Sequence, residues 1–519
     1  MSFSCSNIIL KTYMLKFKGK LGIDDFYKVI FENQSIQIED EIIERVNKSF
    51  NFLKEFSENK VIYGVNTGFG PMAQYKIKDS ERIQLQYNLI RSHASGTGNP
   101  IDPIYVKAAM LARLNTLSLG HSGVHSSVIK LMAELINRDI TPLIYEHGGV
   151  GASGDLVQLA HLALVLIGEG EVFYKGERLE TRTVFEKEDL KPISVELREG
   201  LALMNGTSVM TGIGIVNTIY SRRLLNWMTA SSASINEIVK AYDDHLSYEL
   251  NQSKKHLGQR AIAESMREHL KDSSLTRKRE HHLYSNNDNV SVFEDKVQEY
   301  YSLRCVPQIL GPVLDTLNNI ERILIEEVNS ANDNPIVDVE KKHVYHGGNF
   351  HGDYVSLEMD KLKTVVTKLS MLSERQLNYL LNTRLNDMLP PFVNLGELGL
   401  NFGMQGVQFT ATSTTAENQM LSNPMYIHSI PNNNDNQDIV SMGTNAALIT
   451  KKVIENAFEV LAIELITIVQ AIEYLKVQDQ VSSKTRKMYD EIRNIVPIFT
   501  EDVVMYPYVN KVKNYIINH

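Results

Sequence analysis

Gly148-Gly149-Val150-Gly151-Ala152-Ser153-Gly154-Asp155 carries four glycines among eight residues, a density that ordinary helix or strand packing does not require. A backbone without Cβ atoms can crowd itself, so the amide nitrogen of Gly154 can approach the carbonyl of Ala152 and the tripeptide Ala152-Ser153-Gly154 can close on itself. Loss of one water from ring closure and a second from Ser153 would leave a methylidene-imidazolone, an electrophile made from the chain. Two other readings fit the same residues. Gly149-Val150-Gly151-Ala152-Ser153-Gly154 matches the dinucleotide-binding G-x-G-x-x-G, with the strand-like Ile140 to Tyr145 before it and a helical run from Leu156 after it. Against that stand Asp155, a carboxylate where a pyrophosphate would sit, and the lack of repeated strand-helix alternation. Asp155 is expected instead to cap the following helix. A plain glycine-rich turn needs no chemistry, and the loop alone leaves all three readings open.

At 519 residues, 43% of them hydrophobic, the chain can bury a large core and can form two or three domains or one extended helical body. A net charge of -9 without any basic block argues against nucleic acid or an anionic membrane as partner. Cys5 and Cys305 are the only cysteines. So far apart, they give neither a zinc knuckle nor a disulfide framework, and they fit a reducing, cytoplasmic setting. Met1 to Leu21 lacks the apolar run and cleavage site of a signal peptide, so residues 1–22 are expected as a short extension. No stretch is long and apolar enough to span a membrane.

Helical periodicity dominates the remainder. Ile42, Val46, Phe50 and Leu53 form one apolar face, and Leu156 to Ile167 is apolar nearly all round, which should bury the glycine loop before it. Tyr63 enters a second glycine loop, Ile83 to Ile90 runs into Ser92-His93, and Asn205 precedes Gly206 at the start of a helix through Met228. Each of Tyr63, His93 and Asn205 alone reads as an ordinary structural residue. Glu171 to Leu179 reads as a hairpin turning at Lys175-Gly176. Lys271 to Asn289 is polar enough for a surface loop or lid. Gln298, Tyr301, Arg304 and Gln308 share the spacing of one helix face. His346 to Asp353 holds two histidines without zinc-ligand spacing, so no metal is expected. Val453 to Leu475 reads as a helix from a bundle centre or a subunit interface, and Pro431 to Asp438 as an Asn-rich loop.

Taken together, "YGVNTGFG", "GGVGASGDL", "MNGTS", "YYSLRCVPQ", "NDNP", "GGNFHG" and "NNDNQD" in this order closely resemble the aromatic amino acid and histidine ammonia-lyases. The resemblance runs from about Ile23 to the C-terminal region and favours the electrophile over the turn and the nucleotide cradle. It implies a mainly α fold, a long central helical bundle of the fumarase/aspartase-like type with a few short strands. The expected division is the extension over 1–22, a domain bearing the electrophile over 23–225, and the central bundle with the C-terminal region over 226–519. It also implies a homotetramer whose active sites draw on more than one subunit.

The resemblance assigns roles residue by residue. Ala152, Ser153 and Gly154 would condense to the methylidene-imidazolone, with no metal and no nucleotide, and the substrate amine would add to the methylene derived from Ser153. Tyr63 would take a proton from the substrate β-carbon. Arg304 would pair with the substrate carboxylate, for which a guanidinium suits better than an ammonium. Asn205 and Tyr301 would orient carboxylate and electrophile, while Gln298, Phe350, Glu417 and Leu156 would be further pocket positions. The substrate would be a small aromatic amino acid, and the products ammonia and an α,β-unsaturated acid.

Two clues to the side chain point in different directions. Ser92-His93 is similar to the histidine-lyase pattern, whereas Asn436-Gln437-Asp438 is similar to the aromatic one. A histidine and an amide at the far end of the pocket suit a phenol, and phenylalanine would leave them unpaired at a cost of about 1–3 kcal/mol. The expectation is therefore elimination of ammonia from L-tyrosine to give trans-4-coumarate. Histidine elimination, a tyrosine 2,3-aminomutase and an inactive helical scaffold are the alternatives.

Overall fold

A computed structural model describes residues 14–284, 291–293 and 296–519. The chain is mainly helical with a few short strands, as expected. Two compact units are built from interleaved segments. The first draws on Met1–Val216, Glu321–Asp360 and Pro424–Leu448, the second on Asn217–Ile320, Lys361–Asn423 and Ile449–His519. These are not the contiguous stretches 1–22, 23–225 and 226–519. The helices Ser208–Ile238, Val306–Val328, Asp353–Leu381 and Gly443–Leu475 each contribute residues to both units, so no single cut in the sequence separates them.

In the first unit, Leu15–Phe17 pairs in parallel with Ile36–Ile38, and Phe17 and Leu21 are buried. Residues 14–22 thus belong to the packed body; residues 1–13 of the expected extension lie outside the described residues. The helix Asp40–Phe56 buries Ile42, Val46, Phe50 and Leu53, the face that their spacing predicts. The hairpin Glu171–Tyr174 with Glu177–Glu180 turns through Lys175 and Gly176, both at positive φ, as a two-residue turn requires. The strand-like Ile140 to Tyr145 divides. Thr141–Pro142 pairs antiparallel with Val172 and Phe173, and Tyr145–His147 pairs antiparallel with Thr97–Pro100. The strand before the glycine loop therefore belongs to an antiparallel ribbon, which removes the nucleotide-cradle reading.

In the second unit, buried polar side chains link neighbouring helices. Ser232 donates to Gln376 at 3.1 Å, and Asn418 donates to Ser370 Oγ at 2.9 Å and to the Val453 carbonyl at 3.1 Å. Gly443–Leu475 is buried along most of its length, as its narrow polar stripe predicts. Within Lys271 to Asn289 the structure places a 3-10 turn at Arg279–His281 and a β-bridge from Arg277 to Tyr242; 285–289 lie outside the described residues.

Glu464, on that long helix, is fully buried and accepts a hydrogen bond from Ser373. Burial pushes its carboxyl up to about 8 from an ordinary 4.5. The folded chain keeps a proton here that the unfolded chain releases, so this contribution to stability is complete below about pH 4.5 and is lost as pH rises through about 8. Glu464→Gln is expected to melt like the parent near pH 4 and above it beyond pH 8, by about a few kcal/mol at most. Melting curves at the two pH values check this, and an offset independent of pH would contradict it.

Candidate active site

The glycine stretch is locked where side chains cannot follow. Gly151 and Gly154 have φ of 77° and 72°, and a Cβ on Gly154 would stand 2.1 Å from the Gly206 carbonyl oxygen. Asp155 N–H donates to that same oxygen at 2.8 Å. Asp155 occupies the N-cap position of Leu156–Leu166, but its side chain does not cap that helix. Its carboxylate instead accepts from the amides of Val209 and Met210, at 2.8 and 2.9 Å, and from Thr444 at 2.5 Å. The expected cap is thus corrected: the carboxylate serves the otherwise unpaired amides in the first turn of Ser208–Ile238. Burial raises the Asp155 carboxyl to about 6 against these hydrogen bonds.

Ser153 stands at the crest of the loop. Asn205 Nδ2 donates to its carbonyl oxygen at 3.0 Å and Gln437 Nε2 to its Oγ at 3.1 Å. Asn205 is held from behind by Arg113, which donates to the carbonyls of Ala202 and, at 2.8 Å, of Asn205. Among the described residues, the buried Oδ1 of Asn205 has no hydrogen-bond partner. A loop that tolerates no Cβ at Gly154, with an amide donor on the Ser153 carbonyl, fits a ring closed between Ala152 and Gly154. In that ring the Ser153 carbonyl would be conjugated with the former Ser153 side-chain carbon.

Above the loop is a cavity of about 680 Å³ lined by Tyr63, His93, Ser153, Leu156, Asn205, Phe350, Asn436 and Gln437, among others. Ala152 and Gly154 flank Ser153 and are buried. The Tyr63 hydroxyl accepts the Gly70 amide at 3.1 Å, and its ring meets Phe69 edge to face. His93 Nδ1 lies 3.0 Å from both the Leu89 carbonyl and Ser92 Oγ. A carbonyl only accepts, so the proton belongs on Nδ1 and Nε2 is left as an acceptor. Burial lowers the His93 pKa, which favours the neutral ring, while the hydrogen bond to the Leu89 carbonyl opposes the shift.

Gln298, Tyr301, Arg304 and Glu417 belong to the second unit and are not among the residues that line this cavity. Arg304 donates to Gln298 Oε1 and lies 4.7 Å over the Tyr301 ring, which is 70% exposed. Glu417 accepts from Asn456 at 2.6 Å. The single-face stripe expected for Gln298 to Gln308 is not formed. Tyr301–Arg304 is one turn, and a new helix begins at Val306 with Pro307, which has no amide proton, in its first turn; Pro312 is accommodated further along the same helix.

Several site residues carried no sequence signal of their own. Asn433 and Asn434 line the cavity from a turn in which Asn433, Asn434 and Asp435 all have positive φ. The Asn-rich composition was the available cue, since Asn and Asp tolerate that conformation. Arg113 and Arg198, each fully buried, have no cue in periodicity.

A family model described as "Aromatic amino acid lyase" matches residues 21–494. The histidine ammonia-lyase of Staphylococcus saprophyticus is 38% identical over 503 residues, 96% of this chain and 97% of that protein. The tyrosine 2,3-aminomutase of Chondromyces crocatus is 37% identical over 505 residues, covering 96% and 95%. The solved structure of a tyrosine aminomutase from Streptomyces globisporus superposes with a TM-score of 0.93 at 34% identity, covering 97% of each chain. Among the described residues, no helix is long and apolar enough to cross a membrane.

Proposed function

The chain belongs to the aromatic amino acid lyase family and is a carbon–nitrogen lyase, and from that premise we propose that it eliminates ammonia from L-tyrosine to give trans-4-coumarate. The observation that carries the choice of tyrosine is the His93 Nδ1 on the Leu89 carbonyl, which leaves Nε2 as an acceptor for a phenol hydroxyl in the cavity. A methylidene-imidazolone formed from Ala152-Ser153-Gly154 would supply the electron-poor carbon that no ordinary side chain provides. The residues around it do the remaining work. Asn205 hydrogen-bonds the Ser153 carbonyl and draws electron density toward it. Tyr63, with the Gly70 amide on its oxygen, is positioned to take the proton from the substrate β-carbon.

The substrate carboxylate needs a cation, and the cavity lining contains none of the arginines. We assign that role to Arg304, with Tyr301, Gln298 and Glu417, contributed by another subunit of a homotetramer. Gln298, Tyr301 and Glu417 are exposed, Arg304 is half-buried, and none of the four is among the lining residues, which supports this arrangement. The alternatives differ in product. Histidine would give its own unsaturated acid, consistent with the name of the Staphylococcus saprophyticus relative. A tyrosine 2,3-aminomutase, the name of the Chondromyces crocatus relative, would return the amine to the β-carbon.

The test offers purified protein tyrosine, phenylalanine and histidine separately and identifies products by ultraviolet absorbance and chromatography. Coumarate formed at the highest efficiency supports the proposal; urocanate or β-tyrosine as the main product replaces it. His93→Phe is expected to lower kcat/KM for tyrosine by about 10- to 100-fold and to raise it for phenylalanine, since a phenol would then lose its acceptor. An unchanged ratio between the two substrates would remove His93 from the phenol site.

A further inference from the structure

We propose that Gln86 is a positioning residue that holds Tyr63 in register with the glycine loop, an inference that rests on Tyr63 acting as the base. On the helix Arg82–His93, Leu85, Asn88, Leu89 and Ser92 line the cavity, whereas Gln86 is fully buried and is not among the lining residues. An apolar residue of this size would occupy the position without the cost of desolvating an amide. Both ends of the Gln86 amide are used. Nε2 donates to the Gly64 carbonyl at 3.0 Å, one residue after Tyr63. Oε1 accepts the Leu201 amide at 3.2 Å. Leu201 lies in the first turn of Glu199–Met204, where amides have no partner in their own helix.

That short helix ends at Asn205, the residue hydrogen-bonded to the Ser153 carbonyl. One side chain therefore joins the segment carrying Tyr63 to the segment carrying Asn205, from the helix that carries His93. The packing leaves no slack. Gly64 has φ of 75°, and a Cβ on it would lie 2.6 Å from Leu201 Cδ2; a Cβ on Gly200 would lie 2.9 Å from Gln86 Oε1. If the Gln86 bonds are removed, packing of Gly64 on Leu201 remains, but no other described hydrogen bond ties the Gly64 carbonyl to the Leu201 amide, and small displacements of a base are costly in rate.

Gln86→Met keeps length and removes both bonds. Gln86→Glu keeps the acceptor for Leu201 but sets a carboxyl against the Gly64 carbonyl. Both are expected to lower kcat about 10- to 100-fold with KM within about twofold, while intact mass still shows the loss of two waters. The isotope effect from substrate deuterated at the β-carbon should grow, and amide exchange should accelerate over 62–70. A residue that only stabilises the fold would leave the isotope effect and the rate per folded molecule unchanged. Wild-type kcat with wild-type exchange over 62–70 overturns the inference, as does loss of cyclisation, which would place Gln86 in forming the loop. If Gln86→Met does not fold, Gln86→Glu decides. If the wild type yields no unsaturated acid, the proposed function fails, and exchange over 62–70 still decides for or against Gln86.

Discussion

Ser153→Ala is expected to fold, to retain the mass of its unmodified sequence and to lose activity by about 10³-fold or more. The cyclisation requires two departures. Gly154 N bonds to the Ala152 carbonyl carbon, whose oxygen leaves as water, and Ser153 gives up its hydroxyl and α-hydrogen as the second water. Alanine has no hydroxyl to lose, so the exocyclic double bond cannot form. The structural cost is small, because among the described residues the Ser153 hydroxyl has one side-chain hydrogen bond, from Gln437 Nε2, and the loop is held elsewhere by the Asp155 amide on the Gly206 carbonyl. Loss of one such hydrogen bond costs about 1 kcal/mol. Intact-mass measurement of both proteins, with rates on the preferred amino acid, checks the prediction. A wild type that retains both waters would return the chain to the inactive-scaffold alternative, and a Ser153→Ala protein with the parent's rate would show that the chemistry needs no electrophile there.

The glycine stretch was legible because its constraint is local. Gly154 sits at positive φ against Gly206, and only a residue without Cβ can do so. Helices were legible for a similar reason, since Ile42 to Leu53 repeat on one face whatever lies opposite. Partners distant in sequence were not. Asp155 looked like the cap of its own helix, and the amides it serves are those of Val209 and Met210. Gln86 is one polar residue within a helix, and nothing in its neighbours shows that Gly64 and Leu201 take its amide. The stripe from Gln298 to Gln308 had helical spacing, but spacing does not reveal a break, and Pro307 was the residue that marked it. The compact units were illegible because helices such as Ser208–Ile238 belong to both.

Tyr63→Phe is expected to reduce kcat by about 10²- to 10⁴-fold while KM changes little and the loss of two waters persists. Among the described residues its hydroxyl accepts only the Gly70 amide, and the ring contact with Phe69 survives the exchange, so the variant removes a proton acceptor and little else. Arg304→Met should be inactive for a different reason, an unpaired substrate carboxylate, and its KM should rise. Co-expressing the two separates a shared site from a self-contained one. If each site takes Tyr63 and Arg304 from different subunits, half of the Tyr63 positions and half of the Arg304 positions are intact, and about a quarter of the sites regain both. If one subunit supplies both, every site lacks one of them and the mixture stays as inactive as its parents. Recovery of activity in the co-expressed protein would explain why Arg304, Tyr301 and Gln298 are not among the residues that line the cavity holding Tyr63 and Ser153, and the absence of recovery would require Arg304 to be replaced as the carboxylate partner or the assembly to be redrawn.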